Sequence, residues 1–163
     1  MSQALDAFFR IGERVELGQH RFTAEEIKEF AREFDPQVFH TDEVAARHSL
    51  FGGLCASGWH TTAMWMRYNY AEMLRAIDTL WQGDGPRPDF GPSPGFENLR
   101  WVRPVFAGDT VLFTRTALDY RPLASRPGWL MLNLKGEAFV GEDERVMEFD
   151  NAVMVLAHPA PTD

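Results

Sequence analysis

Phe51-Gly52-Gly53-Leu54-Cys55-Ala56-Ser57-Gly58-Trp59 opens a segment in which Trp59, Thr62, Ala63, Met66, Tyr70, Met73, Leu74 and Ile77 recur at helical spacing. Steps of three and four residues bring side chains to one side of a helix. The stretch therefore predicts a helix of about twenty residues starting near Ser57, with that stripe laid against a sheet. Ser57 is placed to cap it, its hydroxyl accepting from a free N–H of the first turn. Gly52-Gly53 stops whatever short helix precedes it.

The sheet is legible downstream. Leu99 and Trp101 alternate ahead of Pro104, Gly108-Asp109 reads as a turn, and Val111 and Phe113 begin the next strand. Leu130, Leu132, Leu134, Ala138 and Val140 take every second place around Gly136. After the turn at Gly141-Glu142-Asp143-Glu144, Met147, Phe149, Val153 and Val155 do the same. Short turns between successive strands imply an antiparallel meander, and one long helix on its face buries both apolar surfaces. The fold class is α+β.

Upstream, Val15 and Leu17 alternate within Ile11–Phe22 as in a half-buried strand. Thr23 and Glu26 then have the spacing of a capping box for a helix that carries Ile27, Phe30, Ala31 and Phe34 on one face. Pro36 ends that helix at Asp35, and a short helix is expected around Asp42–His48. Gln82–Gly95, dense in Gly and Pro, reads as a loop without regular structure, long enough to be a lid.

At 163 residues the chain suits a single domain, 1–163. Its 45% apolar content, with 13 Phe and 5 Trp, is ample for a core. Cys55 is the single cysteine, which excludes an internal disulfide and points to a reducing compartment. Met1–Asp6 lack the pattern of a signal peptide, and no run approaches a membrane span. The expectation is a soluble cytoplasmic domain with no membrane partner. Twenty-four acidic against 16 basic residues, a net charge of -8, argue against nucleic acid.

Phe34-Asp35-Pro36-Gln37-Val38-Phe39-His40-Thr41-Asp42 carries the chemistry. A carboxylate and an imidazole, five residues apart on a bent segment, can share one water. His40 would take its proton while Asp35 orients it or returns one. The free N–H groups at the following helix start could hold a developing oxyanion. The bland alternatives are an Asp-Pro turn and a hydrogen-bonded interior histidine.

Three pieces resemble the MaoC-like acyl dehydratases, which include the (R)-specific enoyl-CoA hydratases of hotdog fold. They are Asp35…His40-Thr41-Asp42 followed by Ala45-Ala46, then Phe51 to Gly58, and then Leu99-Arg100-Trp101-Val102-Arg103-Pro104-Val105-Phe106-Ala107-Gly108-Asp109-Thr110-Val111. Order and spacing match over nearly the whole chain. Gln37 stands where the family usually has Asn, Phe39 precedes the histidine, and Met64-Trp65-Met66 occupies a stretch where some relatives carry a substrate-contacting Ser. The pocket is therefore expected to differ.

The resemblance implies a hotdog domain and a hydro-lyase acting on an acyl-CoA thioester, either hydrating a 2-enoyl-CoA or dehydrating a 3-hydroxyacyl-CoA. Asp35 and His40 would be catalytic. Ser57, Gly58 and Trp59 would form the oxyanion and substrate site, with the Gly58 N–H on the thioester oxygen. Arg100, Arg103, Arg121 and Arg126 would meet the phosphates of coenzyme A. No metal and no cofactor is implied, since coenzyme A enters only as part of the substrate. A homodimer or higher homo-oligomer with the site at the subunit boundary is expected. A hotdog thioesterase and a non-catalytic acyl-CoA-binding subunit are the alternatives.

Other residues read more plainly. Ser57 lacks the glycine of a nucleophile elbow before it, and Cys55 reads as a small filler. His60 could reach substrate or pack in a dimer. His40, His48 and His60 are not spaced to share a helical face, which argues against a metal site. Trp59, Met66, Tyr70 and Met73 read as core or subunit contacts. Trp65-Met66-Arg67-Tyr68 and Trp81 are candidates for lining an acyl tunnel.

Overall fold

A computed structural model describes residues 2–141 and 143–157. The chain runs α1 (Ser2–Phe9), β1 (Arg14–Arg21), α2 (Ala24–Phe34), α3 (Val38–Thr41), α4 (Glu43–Arg47) and α5 (Gly58–Leu80). It continues as β2 (Asp89–Phe90), β3 (Gly95–Trp101), β4 (Thr110–Pro122), β5 (Trp129–Val140) and β6 (Glu144–Leu156). All strand pairings are antiparallel. The order is β1-β4-β5-β6-β2, and β3 also pairs with β6. The expected meander is thus β4-β5-β6, with β1 and β3 added to its two sides. Helix α5 lies against this sheet, the hotdog arrangement.

The local signals worked where they rest on caps and prolines. Thr23 and Glu26 form the reciprocal capping box of α2. Asp42 caps α4 by accepting from the N–H groups of Val44 and Ala45 at 2.8 and 2.9 Å. Three elements were not foreseen: α1, the single turn α3, and the two-residue β2 inside the expected loop 82–95. Glu142, in the expected turn between β5 and β6, lies outside the described residues.

The long helix turns only part of its expected apolar stripe to the sheet: Thr62 reaches Met147 of β6 and Ile77 packs on the cluster under α1. Trp59, Met66, Tyr70 and Leu74 are each about half exposed, at 50, 49, 55 and 53%. The sheet instead receives Thr61, Met64 and Trp65, which are buried, and the half-buried Tyr68. Trp65 is fully buried, donates from Nε1 to the Thr114 carbonyl at 2.8 Å and packs edge-on against Phe149. Gly136 makes room for it: a Cβ there would lie 2.4 Å from the Phe149 ring and 2.9 Å from Trp65. Trp65 is therefore a core anchor and not an acyl-tunnel residue. Tyr68 stacks on Phe113 and donates to the Gln19 carbonyl at 2.7 Å.

Two apolar clusters result. The first joins Trp65 and Met64 to Val15, Phe22, Ile27, Phe113 and Met147. The second lies under α1, where Leu5, Phe8 and Phe9 cover Ala117, Leu132 and Leu134, and Trp81 packs beside them. No helix among the described residues is long and apolar enough to cross a membrane.

Candidate active site

Three breaks in regular structure assemble the site. Pro36 cannot extend α2, so Asp35 sits just past its end, its N–H donating to the Ala31 carbonyl at 2.9 Å. The chain then turns once through α3, which carries His40 back beneath the segment leading into α5. His40 is 6% exposed. Its Nδ1 lies 2.6 Å from the Cys55 carbonyl oxygen. A carbonyl only accepts, so Nδ1 holds a proton, and in the neutral ring the Nε2 lone pair is free. Nε2 faces Asp35 Oδ2 at 3.5 Å.

Asp35 is held from two sides. Ser57 Oγ donates to Oδ2 at 2.7 Å, and Gln37 Nε2 donates to Oδ1 at 2.9 Å. Partial burial pushes this carboxyl up, but the bonds from Gln37 and Ser57, and the charge of His40 when its ring is protonated, outweigh it. The net result lies below the ordinary 3.8, which keeps Asp35 ionised. A water 2.8 Å or so from both Nε2 and Oδ2 would complete a triangle on the 3.5 Å edge.

Ser57 caps α5 as expected, its Oγ accepting from the Trp59 N–H at 3.3 Å while it donates to Asp35. The Gly58 N–H has no acceptor among the described residues, as befits the first turn of a helix. Trp101 lies across Gly58: a Cβ at that position would be 2.2 Å from its ring. Its indole N–H donates to Thr62 Oγ1 at 3.1 Å, and its ring meets Trp59 edge-on at 5.0 Å. Glycine is required here by contact, not by backbone conformation.

These groups line one cleft of about 570 Å³, together with Phe39, Phe51, Thr61 and Arg103. Of the four arginines, Arg103 alone is on its wall, and it pairs with Glu144. Arg100 is exposed on β3. Arg121 follows Thr110 by eleven residues, roughly 36 Å along β4 at strand rise, toward the other end of the sheet. Arg126 lies in the turn beyond it. The four do not converge within one chain. Cys55 is buried, its thiol pushed up to about 11 by burial, and it contributes its carbonyl, not its sulfur.

The sequence reading missed four partners: Gln37 on Asp35, the second bond of Ser57, the Cys55 carbonyl and the Trp101 cover. Gln37 was noted as a departure from the family pattern, which was the available signal. The other three are contacts across 15 to 43 residues of chain, beyond any local pattern.

His60 takes neither role considered for it. It is buried beneath the site, stacked on Phe30 at 4.4 Å and edge-on to Phe22 at 5.0 Å. Its Nε2 is 3.8 Å from Glu26 Oε1, which also accepts from His20 Nε2 at 2.5 Å. Burial depresses the His60 imidazole from 6.5 to about 4, against the pull of Glu26. The unfolded chain therefore takes up this proton first. Stability is expected to be full above pH 6.5 and to decline toward pH 4. The loss should be about 2 kcal/mol, less than the full shift because Glu26 can follow the incoming proton. Urea melts of wild type and His60→Leu across that range check this. An unchanged acid slope in the variant refutes it.

Comparison with known proteins identifies the family. Residues 8–123 match the family model described as MaoC like domain. The crystal structure of the MaoC-like dehydratase from Rhodospirillum rubrum is 36% identical, covering 92% of this chain and 94% of that one, with a TM-score of 0.69. The (R)-hydratase from A. caviae involved in PHA biosynthesis is 20% identical, covering 88% and 94%, with a TM-score of 0.58, a likeness of fold. The uncharacterized protein YdeM of Bacillus subtilis (strain 168) is 26% identical over 147 residues, 90% of this chain and 95% of that protein. The chain belongs to the MaoC-like dehydratase family.

Proposed function

We propose that the chain is a hydro-lyase that adds water to a 2-enoyl-CoA, or removes it from the 3-hydroxyacyl-CoA. The observation that carries this is the Asp35–His40 pair, with Nε2 and Oδ2 3.5 Å apart and both able to accept from one water. Its place beside the free N–H of Gly58 supports an acyl substrate. In hydration the water oxygen bonds C3 while Nε2 takes one of its hydrogens. Asp35 Oδ2 accepts the hydrogen that stays on the new hydroxyl. The proton on Nε2 then passes to C2 as the enolate collapses. The Gly58 N–H stabilises the thioester oxygen while it carries that charge. The step is redox-neutral and balanced without a metal or cofactor.

A second copy of the chain is part of this reading. Two features support a homodimer: the half-exposed Trp59, Met66, Tyr70 and Leu74 on α5, and strand β3, which pairs only with β6 among the described residues. The boundary between copies would run past Trp101 and the cleft mouth.

The test is purified protein with crotonyl-CoA and with longer, branched and carboxyl-terminated enoyl-CoAs. Loss of enoyl absorbance without thiol release is the expected result. Thiol release at unchanged double bond would establish a thioesterase instead, and no chemistry on any thioester would leave only binding.

A further inference from the structure

A second cavity of about 300 Å³ lies near the middle of α5 and shares no lining residue with the catalytic cleft. Its wall is mainly aromatic and aliphatic, with Phe8, Phe9, Phe90 and Leu132, and carries the neutral polar side chains of Asn69, Ser93 and Asn151. Into this wall Arg115 of β4 brings a part-buried guanidinium. Nη1 donates to Asn69 Oδ1 at 3.0 Å, and no carboxylate lies within ion-pair distance among the described residues. The nearby charge is Arg10, of the same sign and itself bonded to Glu13. Glu72, the buried acid of α5, pairs with Arg75 instead.

A guanidinium has five N–H donors in a planar fork, and a buried charge normally has a partner. Apolar walls and an arginine without a counter-ion together describe a receptor for a carboxylate on an apolar chain. We infer that this cavity is a second ligand site, taking a carboxylate on Arg115 and Asn69 with its alkyl part between Phe8, Phe9 and Leu132. The ligand has two sources. It is either a free aliphatic acid or the far end of an acyl chain that carries a terminal carboxylate. Asn69 is eleven residues beyond Gly58 on α5, roughly 16 Å along the axis, so only a long acyl chain or one bound by another copy spans the two sites.

The probe is hexanoate, with the neutral hexanamide as control, titrated calorimetrically into wild type, Arg115→Met and Leu132→Trp. Hexanoate should bind wild type at least about tenfold more tightly than hexanamide, since the ionised group makes charge-assisted bonds. Arg115→Met should erase that preference without lowering Tm, because an unpaired charge is what it removes. Leu132→Trp should block both probes by filling the cavity. Hexanoate no tighter than hexanamide, binding unchanged in Arg115→Met, or no binding at all overturns the inference. No binding is the result if a partner copy already supplies a carboxylate to Arg115. A carboxyl-terminated acyl-CoA that displaces hexanoate identifies the acyl chain as the source, whereas simultaneous binding identifies the free acid. These readouts need no turnover and stand apart from the proposed hydratase reaction.

Discussion

His40→Ala is expected to lower kcat/KM for an enoyl-CoA by about 10²–10⁴-fold, the usual contribution of a positioned acid–base group. The fold should survive. The imidazole's short hydrogen bond to the protein is the one to the Cys55 carbonyl, and the ring sits at the wall of a cleft and not in the centre of either apolar cluster. Unchanged circular dichroism and a loss in kcat at nearly constant KM would mark removal of a group used in the transition state. Asp35→Asn should cost a comparable factor. It keeps the shape facing Ser57 and Gln37 but removes the charge that holds the water. Because the two act on a single water, the double variant should be little worse than either alone. Turnover that survives both substitutions refutes the proposed chemistry.

The pair was legible because its parts are close in sequence and Pro36 forces the bend between them. Its protonation state was not. That depends on the Cys55 carbonyl fixing the His40 tautomer and on Ser57 and Gln37 lowering the carboxyl, contacts that only the folded chain creates. Gln37 shows the point well: as a departure from the family pattern it looked like a loss, yet its amide holds Asp35 Oδ1. The arginines show the reverse. Arg100, Arg103, Arg121 and Arg126 cluster in the second half of the sequence, and strand length carries Arg121 and Arg126 far from the cleft.

The fold was read from caps, turns and alternation, which report local geometry directly. The face of α5 was misread because that helix is apolar on more than one side. A stripe at helical spacing says that a side is apolar, not which neighbour covers it. Here the stripe through Trp59, Met66, Tyr70 and Leu74 stays half exposed, with Trp59 against Trp101 and Met66 and Tyr70 on the wall of the second cavity, while the buried side includes Thr61 and Glu72. Helix α1 was missed for want of a cap signal, and its Leu5, Phe8 and Phe9 are held by the sheet beneath them.

The two sides of α5 can be told apart by stability. Trp65→Ala should destabilise the protein by about 3–5 kcal/mol, the range for removing a large buried ring. The side chain is 0% exposed, contacts Phe149 and Gly136, and bonds the Thr114 carbonyl. Removing it leaves a void in the larger cluster and takes away the indole donor to the Thr114 carbonyl. Trp65→Phe refills much of the void but not the bond, so about 1–3 kcal/mol should remain lost. Leu74→Ala on the opposite side should cost well under 1 kcal/mol in an isolated chain, since that residue is already half exposed. If a second copy covers that side, the cost of Leu74→Ala should grow with protein concentration, whereas that of Trp65→Ala should not. Denaturant melts of the three variants at two protein concentrations decide it. A Trp65→Ala loss below that of Leu74→Ala would mean that α5 packs on the sheet through its apolar stripe after all.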